Sequence, residues 1–328
     1  MKNLLIKISS LIICVMCAVT AHAFADFTDM PQDEATRGAM ERAVSNGLLT
    51  GYETGEIKPY GNITRAEMAA ILTRAFGGED EADISGFGDM SKDKWYYSVM
   101  SKAVAMEIFQ GDGKNLNPET NITFQEAFAV VSRLFYLQAK YDIDKINYNL
   151  GHSETFPVKE YPELDGYKDK DLVASWAIPT TAAVIGGGYW APESMTIRPT
   201  EYITRSEFAI LMDNLVKTYI NEPGTYDSLP AGNVVVRSND VIINTFKGDY
   251  DIFVGDAVSG NVTLSDTVDV DRLVTRNGNV SISGIFNQVR MDGHKGCIIL
   301  SGKPTVKIVI DSKYKDETFI SLGTINLN

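Results

Sequence analysis

Ile63-Thr64-Arg65-Ala66-Glu67, Ile122-Thr123-Phe124-Gln125-Glu126 and Ile203-Thr204-Arg205-Ser206-Glu207 are three versions of one pentapeptide. In each, a Thr followed three residues later by Glu forms a capping box, whose two side chains serve orphan N–H groups of a first helical turn. Apolar residues then fall at i, i+3, i+4 and i+7: Met68, Ile71, Leu72, Ala75; Ala127, Val130, Val131, Leu134; Phe208, Leu211, Met212, Leu215. Each set is one buried stripe on an amphipathic helix. The fold must therefore contain three equivalent capped helices.

Upstream of each box the match continues. Pro59, Pro118 and Pro199 stand five residues before the Thr, preceded by Lys58, Asn117 and Arg198. The motifs Phe27-Thr28-Asp29-Met30, Phe87-Gly88-Asp89-Met90 and Tyr167-Lys168-Asp169-Lys170 open the three units. Between opening motif and proline, the pattern predicts a second helix over about 33–46, 94–107 and 173–185. These helices end at glycines: Gly47 and Gly51, Gly111 and Gly113, and the run Gly186-Gly187-Gly188. A two-helix unit of this size cannot bury both stripes alone, so the copies are expected to pack into one all-helical body.

The tripled pattern of Phe-x-Asp, mid-unit glycine loop, x-Pro and Thr-Arg-Ala-Glu resembles the S-layer homology domain of bacterial surface proteins. The resemblance spans residues 24–221. It implies a pseudo-threefold helical bundle that anchors proteins non-covalently by holding an anionic, often pyruvylated, secondary cell-wall polysaccharide in grooves between repeats. It also implies a polysaccharide-binding set of Asp29, Asp89 and Asp169; Gly51, Gly111 and Gly187; Lys58 and Arg198; Arg65 and Arg205. The residues themselves agree with an anionic ligand. A helix N-terminus offers donors and positive dipole, and an Arg in its first position suits a carboxylate. Glycine lets a sugar approach the backbone. Glu67, Glu126 and Glu207 are read as capping residues, not catalytic acids. The second unit has Phe124 in place of the Arg and Asn117 in place of the Lys or Arg, so a groove resting on both is expected to bind weakly. The third unit follows an insertion over 139–165 and carries Tyr189 and Trp190 in its loop, as stacking or packing rings.

After Glu222-Pro223-Gly224 the composition turns to Val, Ile, Thr, Asn and Gly in short alternating segments, which predict strands. Gly260-Asn261-Val262, Gly278-Asn279-Val280 and Gly296-Cys297-Ile298 recur 18 residues apart. Val262, Val268, Val274, Val280 and Phe286 recur every sixth residue. Both steps suggest stacked solenoid coils, with a small β-sandwich as the alternative. Cys297 takes the place of an Asn.

At the other end, Lys2 and Lys7, an apolar run from Leu11 to Val19 and the small-x-small sites Ala21-His22-Ala23 and Ala23-Phe24-Ala25 have the layout of a secretory signal. The run is shorter than the roughly 20 residues of a membrane span. The expected layout is a signal peptide over 1–23, helical repeats over 24–78, 84–138 and 166–221, an inserted loop at 139–165, a linker at 222–232 and a β domain over 233–328.

Lys and Arg number 30 against 43 Asp and Glu, a formal net charge of −13, which leaves no electrostatic footprint for nucleic acid. Signal cleavage would leave one cysteine, Cys297, and two isolated histidines, His152 and His294. This excludes an intrachain disulfide and cysteine-based zinc sites. The Asp266–Asp271 turns lack EF-hand spacing, so no metal or other cofactor is expected. The sequence reads as a secreted wall anchor without enzymatic activity, whose β domain meets an unknown surface partner. A wall-bound polysaccharide-cleaving enzyme and an S-layer subunit are the alternatives.

Overall fold

The computed structural model describes residues 27–139, 161–191, 193–302, 304–310 and 319–322. The segment expected as a signal peptide, most of the expected insertion, His152 and position 192 lie outside the described residues, as does the side chain of His294.

Among the described residues, six α-helices form the N-terminal body: α1 (Glu34–Ser45), α2 (Arg65–Phe76), α3 (Tyr96–Ala105), α4 (Phe124–Leu134), α5 (Ile178–Gly186) and α6 (Arg205–Leu215). The capping boxes begin α2, α4 and α6 as the sequence predicts. Glu67, Glu126 and Glu207 accept hydrogen bonds from the backbone N–H of Thr64, Thr123 and Thr204 at 2.9, 2.8 and 2.8 Å.

The sequence repeat is not the packing unit. The helices that pack closely are α2 with α3, α4 with α5, and α6 with α1, so each capped helix lies against the first helix of the next unit and the ring closes. At its axis, Ile63 donates its N–H to the carbonyl of Ile203, Ile203 to Ile122 and Ile122 to Ile63, at 3.0, 3.1 and 3.1 Å. All three side chains are buried. A cyclic ladder of one hydrogen bond per unit is the backbone basis of the threefold arrangement.

The C-terminal part is a β-solenoid of about five turns, and the sandwich alternative is overturned because every strand pair is parallel. Its strands are β1 (Thr218–Ile220), β2 (Gly224–Tyr226), β3 (Val234–Val236), β4 (Val241–Val254), β5 (Asn261–Ile282), β6 (Ile285–Leu300), β7 (Thr305–Ile310) and β8 (Phe319–Leu322). β1 follows α6 almost directly and pairs with β3, so solenoid pairing begins ahead of the segment expected as a linker. Gly278 stacks on Gly296 and Asn279 on Cys297, the 18-residue step read from the sequence. Elsewhere the step varies: Val241 stacks on Val262 and Leu273 on Val289. The longer strands turn corners, giving each coil three faces.

The six-residue valine series is buried throughout, yet not on one side. Val262, Val268, Val280 and Phe286 fill the solenoid interior, whereas Val274 packs with the helical core and its neighbour Leu273 points inward. The third face is apolar on both sides, because Val235, Phe253 and Val274 meet the helical body across it.

Candidate functional site

The three loops before the prolines share one construction. Both carboxylate oxygens of Asp29 accept backbone N–H groups, from Ile57 and Lys58, each at 2.8 Å. Asp89 does the same for Leu116 and Asn117 at 3.0 and 2.6 Å, and Asp169 for Ile197 and Arg198, each at 2.7 Å. The second residue of each pair adopts a left-handed conformation, with φ of 51° at Lys58, 54° at Asn117 and 57° at Arg198. This conformation is unfavourable for a side chain other than glycine, and the paired carboxylate bonds hold it. In the structure the aspartates shape the loop across some 28 residues of chain.

Gly51 and Gly111 have a related reason. A Cβ at Gly51 would lie 2.1 Å from the ring of Phe27, and one at Gly111 2.5 Å from that of Phe87. Their missing side chains admit the opening aromatic of the same unit. Gly187 is not their counterpart. It is the C-cap of α5, donating to Ala183, while Gly188 donates to Ile185. Hydrogen bonds from Leu48 to Ala43, Ile108 to Ala103 and Tyr189 to Val184 align Trp190 with Leu49 and Phe109. This register moves Gly187 out of the loop wall in which the sequence placed it.

The helix N-termini differ from expectation in a way that matters for anion binding. The N–H of Arg65 donates to Thr120, that of Ala66 to Pro118, and the same pairing joins Phe124 to Glu201, Gln125 to Pro199, Arg205 to Gly61 and Ser206 to Pro59. The first two donors of every capped helix are therefore consumed by the proline turn of a neighbouring unit. Anion recognition here falls to side chains.

Among the described residues, three grooves lie between units at the capped helix N-termini, and each takes its first helical residue from one unit and its loop from the next. The Arg205 side chain leaves the third unit for the loop of the first. Its Nε donates to Ile57 at 2.9 Å, Nη2 to Thr50 at 3.1 Å, and Nη1 pairs with Glu67 at 3.2 Å. Tyr52 also donates to Glu67, at 2.5 Å. Burial first, and this bond second, push the Tyr52 phenol up to about 12. Lys58 Nζ sits 4.4 Å above the same ring. Glu67 thus neutralises Arg205 in this first groove, whose volume is 320 Å3 and whose lining also includes Arg74.

The second groove, of 1030 Å3, opens between Arg65 and the loop of the second unit. Arg65 Nε donates to Leu116 at 2.9 Å, its guanidinium lies 4.6 Å from the centre of the Phe109 ring, and Arg133 Nη1 donates to Ile108 at 3.0 Å. Burial pulls the pKa of both guanidinium groups down. Neither has a carboxylate within ion-pair distance among the described residues. Asn117, Glu126, Trp176 and Tyr202 complete the walls, with Trp176 57% and Tyr202 51% exposed.

In the third groove, of 600 Å3, Phe124 replaces the arginine and packs at 5.3 Å on Trp190, which is buried. Arg198 covers the Phe124 ring at 4.5 Å and pairs with Glu207 at 2.6 Å. The expected groove lacking both cations does not exist. Phe124 and Asn117 belong to different grooves, because units exchange their first helical residues, and each groove keeps at least one guanidinium. Trp190 serves packing, while the exposed rings at the rims are Trp95 in the first groove, Trp176 and Tyr202 in the second and Tyr60 in the third. Sequence reading passed over these four, although a Trp just ahead of the first helix in two units was a visible signal.

The S-layer homology domain family model matches residues 26–69 and 86–128. The chain is 24% identical over 298 residues to the "Surface-layer 125 kDa protein" of Lysinibacillus sphaericus, covering 88% of this chain and 21% of that protein. It is 29% identical over 139 residues to a "Surface layer protein" of Brevibacillus choshinensis, covering 40% and 12%. It is 25% identical over 193 residues to an "Amylopullulanase" of Thermoanaerobacterium thermosulfurigenes, covering 58% and 9%. The chain thus spans about a fifth or less of the length of these curated relatives. Taken with the threefold ring of capped helices, residues 26–69 and 86–128 are S-layer homology domains.

Proposed function

We propose that this protein is a non-enzymatic anchor that attaches to the bacterial cell wall by binding an acidic secondary wall polysaccharide, and that it carries its solenoid to the cell surface. The observation that carries this reading is the second groove. Arg65 and Arg133 stand in it without an ion-pair partner among the described residues, beside two exposed rings, Trp176 and Tyr202. A cation free of a protein carboxylate suits a ligand carboxylate such as a pyruvyl ketal, and exposed rings suit sugar faces. Asp89 and Gly111 shape this groove, and Asp29, Gly51, Asp169, Lys58, Arg198 and Arg205 have the corresponding places in the other two. In the first and third grooves Arg205 and Arg198 are held against Glu67 and Glu207, so the second is the principal site and the others bind more weakly.

Co-sedimentation of the full chain with cell-wall sacculi, before and after acid extraction of the secondary polymer, tests this. Binding is expected to vanish with the polymer and to weaken about tenfold in Arg65→Ala, the scale of a lost charge-assisted hydrogen bond. Binding that survives extraction, or an Arg65→Ala variant that binds as wild type, overturns the reading.

A further inference from the structure

The N-terminal ends of α2, α4 and α6 form the grooves, and their C-terminal ends stop on the third face of the solenoid. Helices of 11 or 12 residues separate the two ends by roughly 17 Å at 1.5 Å per residue. A helix leaves its last carbonyls without intrahelical partners, and those of this bundle are met from the solenoid. Arg237, on the solenoid, donates to the carbonyls of Arg74 and Asn46 at 2.7 and 2.9 Å, at the ends of α2 and α1. Arg276 donates to Met106 at 3.2 Å, at the end of α3. Arg272 donates to Tyr136 at 2.7 Å and lies 3.4 Å from the carbonyl oxygen of Phe135, at the end of α4, while its other edge grips Asp251 at 2.9 and 2.5 Å. Asn233 donates to Leu215 at 2.9 Å, at the end of α6.

Between these polar caps lies an aromatic cluster. Phe76 and Phe135 occupy equivalent places at the ends of α2 and α4, 5.3 Å apart edge to face. Phe253 of the solenoid closes on both, at 5.9 and 5.2 Å. All three rings are fully buried. Two glycines allow the approach: a Cβ on Gly77 would lie 2.4 Å from that of Ala257, and one on Gly255 2.4 Å from the carbonyl oxygen of Phe76.

We propose that the solenoid is the base of the helical bundle, folding with it as one cooperative unit, and that it holds the groove-bearing helices at their C-terminal ends. Cations at helix C-termini complement the macrodipole, and here Arg272 and Arg276 are also paired with Asp251 and Asp256, so the junction is costly to open. The helical segment cut off before the solenoid would expose the Phe76 and Phe135 rings and the unpaired carbonyls of five helices. The solenoid is therefore part of the anchor, beyond any role it has at the surface.

The chain offers a clean test, since its three tryptophans, Trp95, Trp176 and Trp190, all lie in the helical body. Tryptophan fluorescence then reports the bundle alone. Leu264 is buried in the solenoid interior, outside the helical core. In the full chain, Leu264→Ala is expected to lower the urea midpoint of the tryptophan signal by the same amount as that of strand amide exchange in β4–β6. The milder Ile282→Val is expected to lower both by a smaller, equal amount, and it serves if Leu264→Ala fails to fold. Phe253→Ala, at the junction, is expected to separate the two midpoints. A wild-type chain whose bundle and solenoid unfold at different urea concentrations, or a solenoid-core variant whose tryptophan curve superposes on wild type, overturns the proposal.

Discussion

Arg65 donates its Nε hydrogen to the carbonyl of Leu116, 51 residues away and in the next unit, rather than to any group of the unit that carries it. The same displacement takes Arg205 to Ile57. The arginines of α2 and α6 are thus clasps between units as well as walls of the grooves they form. A lysine cannot reproduce this, because it lacks the planar set of donors that reaches a carbonyl and still faces the groove. Arg65→Lys is expected to retain the fold and lose most polysaccharide binding, read by co-sedimentation alongside circular dichroism.

The aspartates of the opening motifs give a prediction on stability. Asp89→Ala leaves the N–H groups of Leu116 and Asn117 without their acceptor, and unsatisfied groups of this kind cost about 1–3 kcal/mol each. Urea unfolding followed by tryptophan fluorescence should show a loss of that size. Asp89→Asn, which keeps one acceptor oxygen, should lose less.

Placing an arginine at the one departed position is not expected to restore a binding site. Phe124 is fully buried between Phe128, Trp190 and the Arg198 guanidinium. Phe124→Arg would remove that packing and set a second guanidinium beside the first. The expected cost is about 3 kcal/mol. Thermal unfolding checks it, and sacculus binding should not rise.

Tyr52 makes alkaline stability testable. Its phenol is held up to about 12 in the folded protein by burial and by its bond to Glu67, against about 10 in an unfolded chain. The folded state then keeps a proton that the unfolded state loses. The stabilisation is full below about pH 10 and falls away as pH rises toward about 12. Burial pushes Tyr219 up in the same direction. Tyr52→Phe is expected to flatten the decline in unfolding free energy between pH 10 and 12, measured by urea titration at each pH.

Gly77 ends α2 with φ of 67° and faces Ala257 across the junction. Gly77→Ala should cost roughly 1 kcal/mol for the left-handed backbone alone, and more for the contact. Differential scanning calorimetry would show the lowered midpoint.

The capped helices, the prolines and the solenoid strands were legible in the sequence because each rests on local rules. A Thr and a Glu three residues apart, or a valine alternating with polar residues, declare themselves within one turn or one strand. The roles of the site residues were less legible. Asp29 and Gly51 stand out by recurrence, yet their partners, Ile57, Lys58 and Phe27, are known only once the loop closes. Gly187 was placed in the wrong register by its glycine neighbours, and the hydrogen bond from Tyr189 to Val184 corrects it.

By itself the sequence determined three capped helices, their threefold kinship, a change to strand-forming composition after residue 224 and a family resemblance. These follow from short-range periodicity and capping, which one chain segment satisfies alone. Only the tertiary structure decided that helices pair across units, that the proline turns consume the helix N–H donors, that Arg65 and Phe124 serve their neighbours' grooves and that the bundle rests on the face carrying Phe253. Each of these joins residues dozens to well over a hundred positions apart. Such contacts form where buried donors and apolar faces must find partners, and the choice among partners is made by packing in three dimensions.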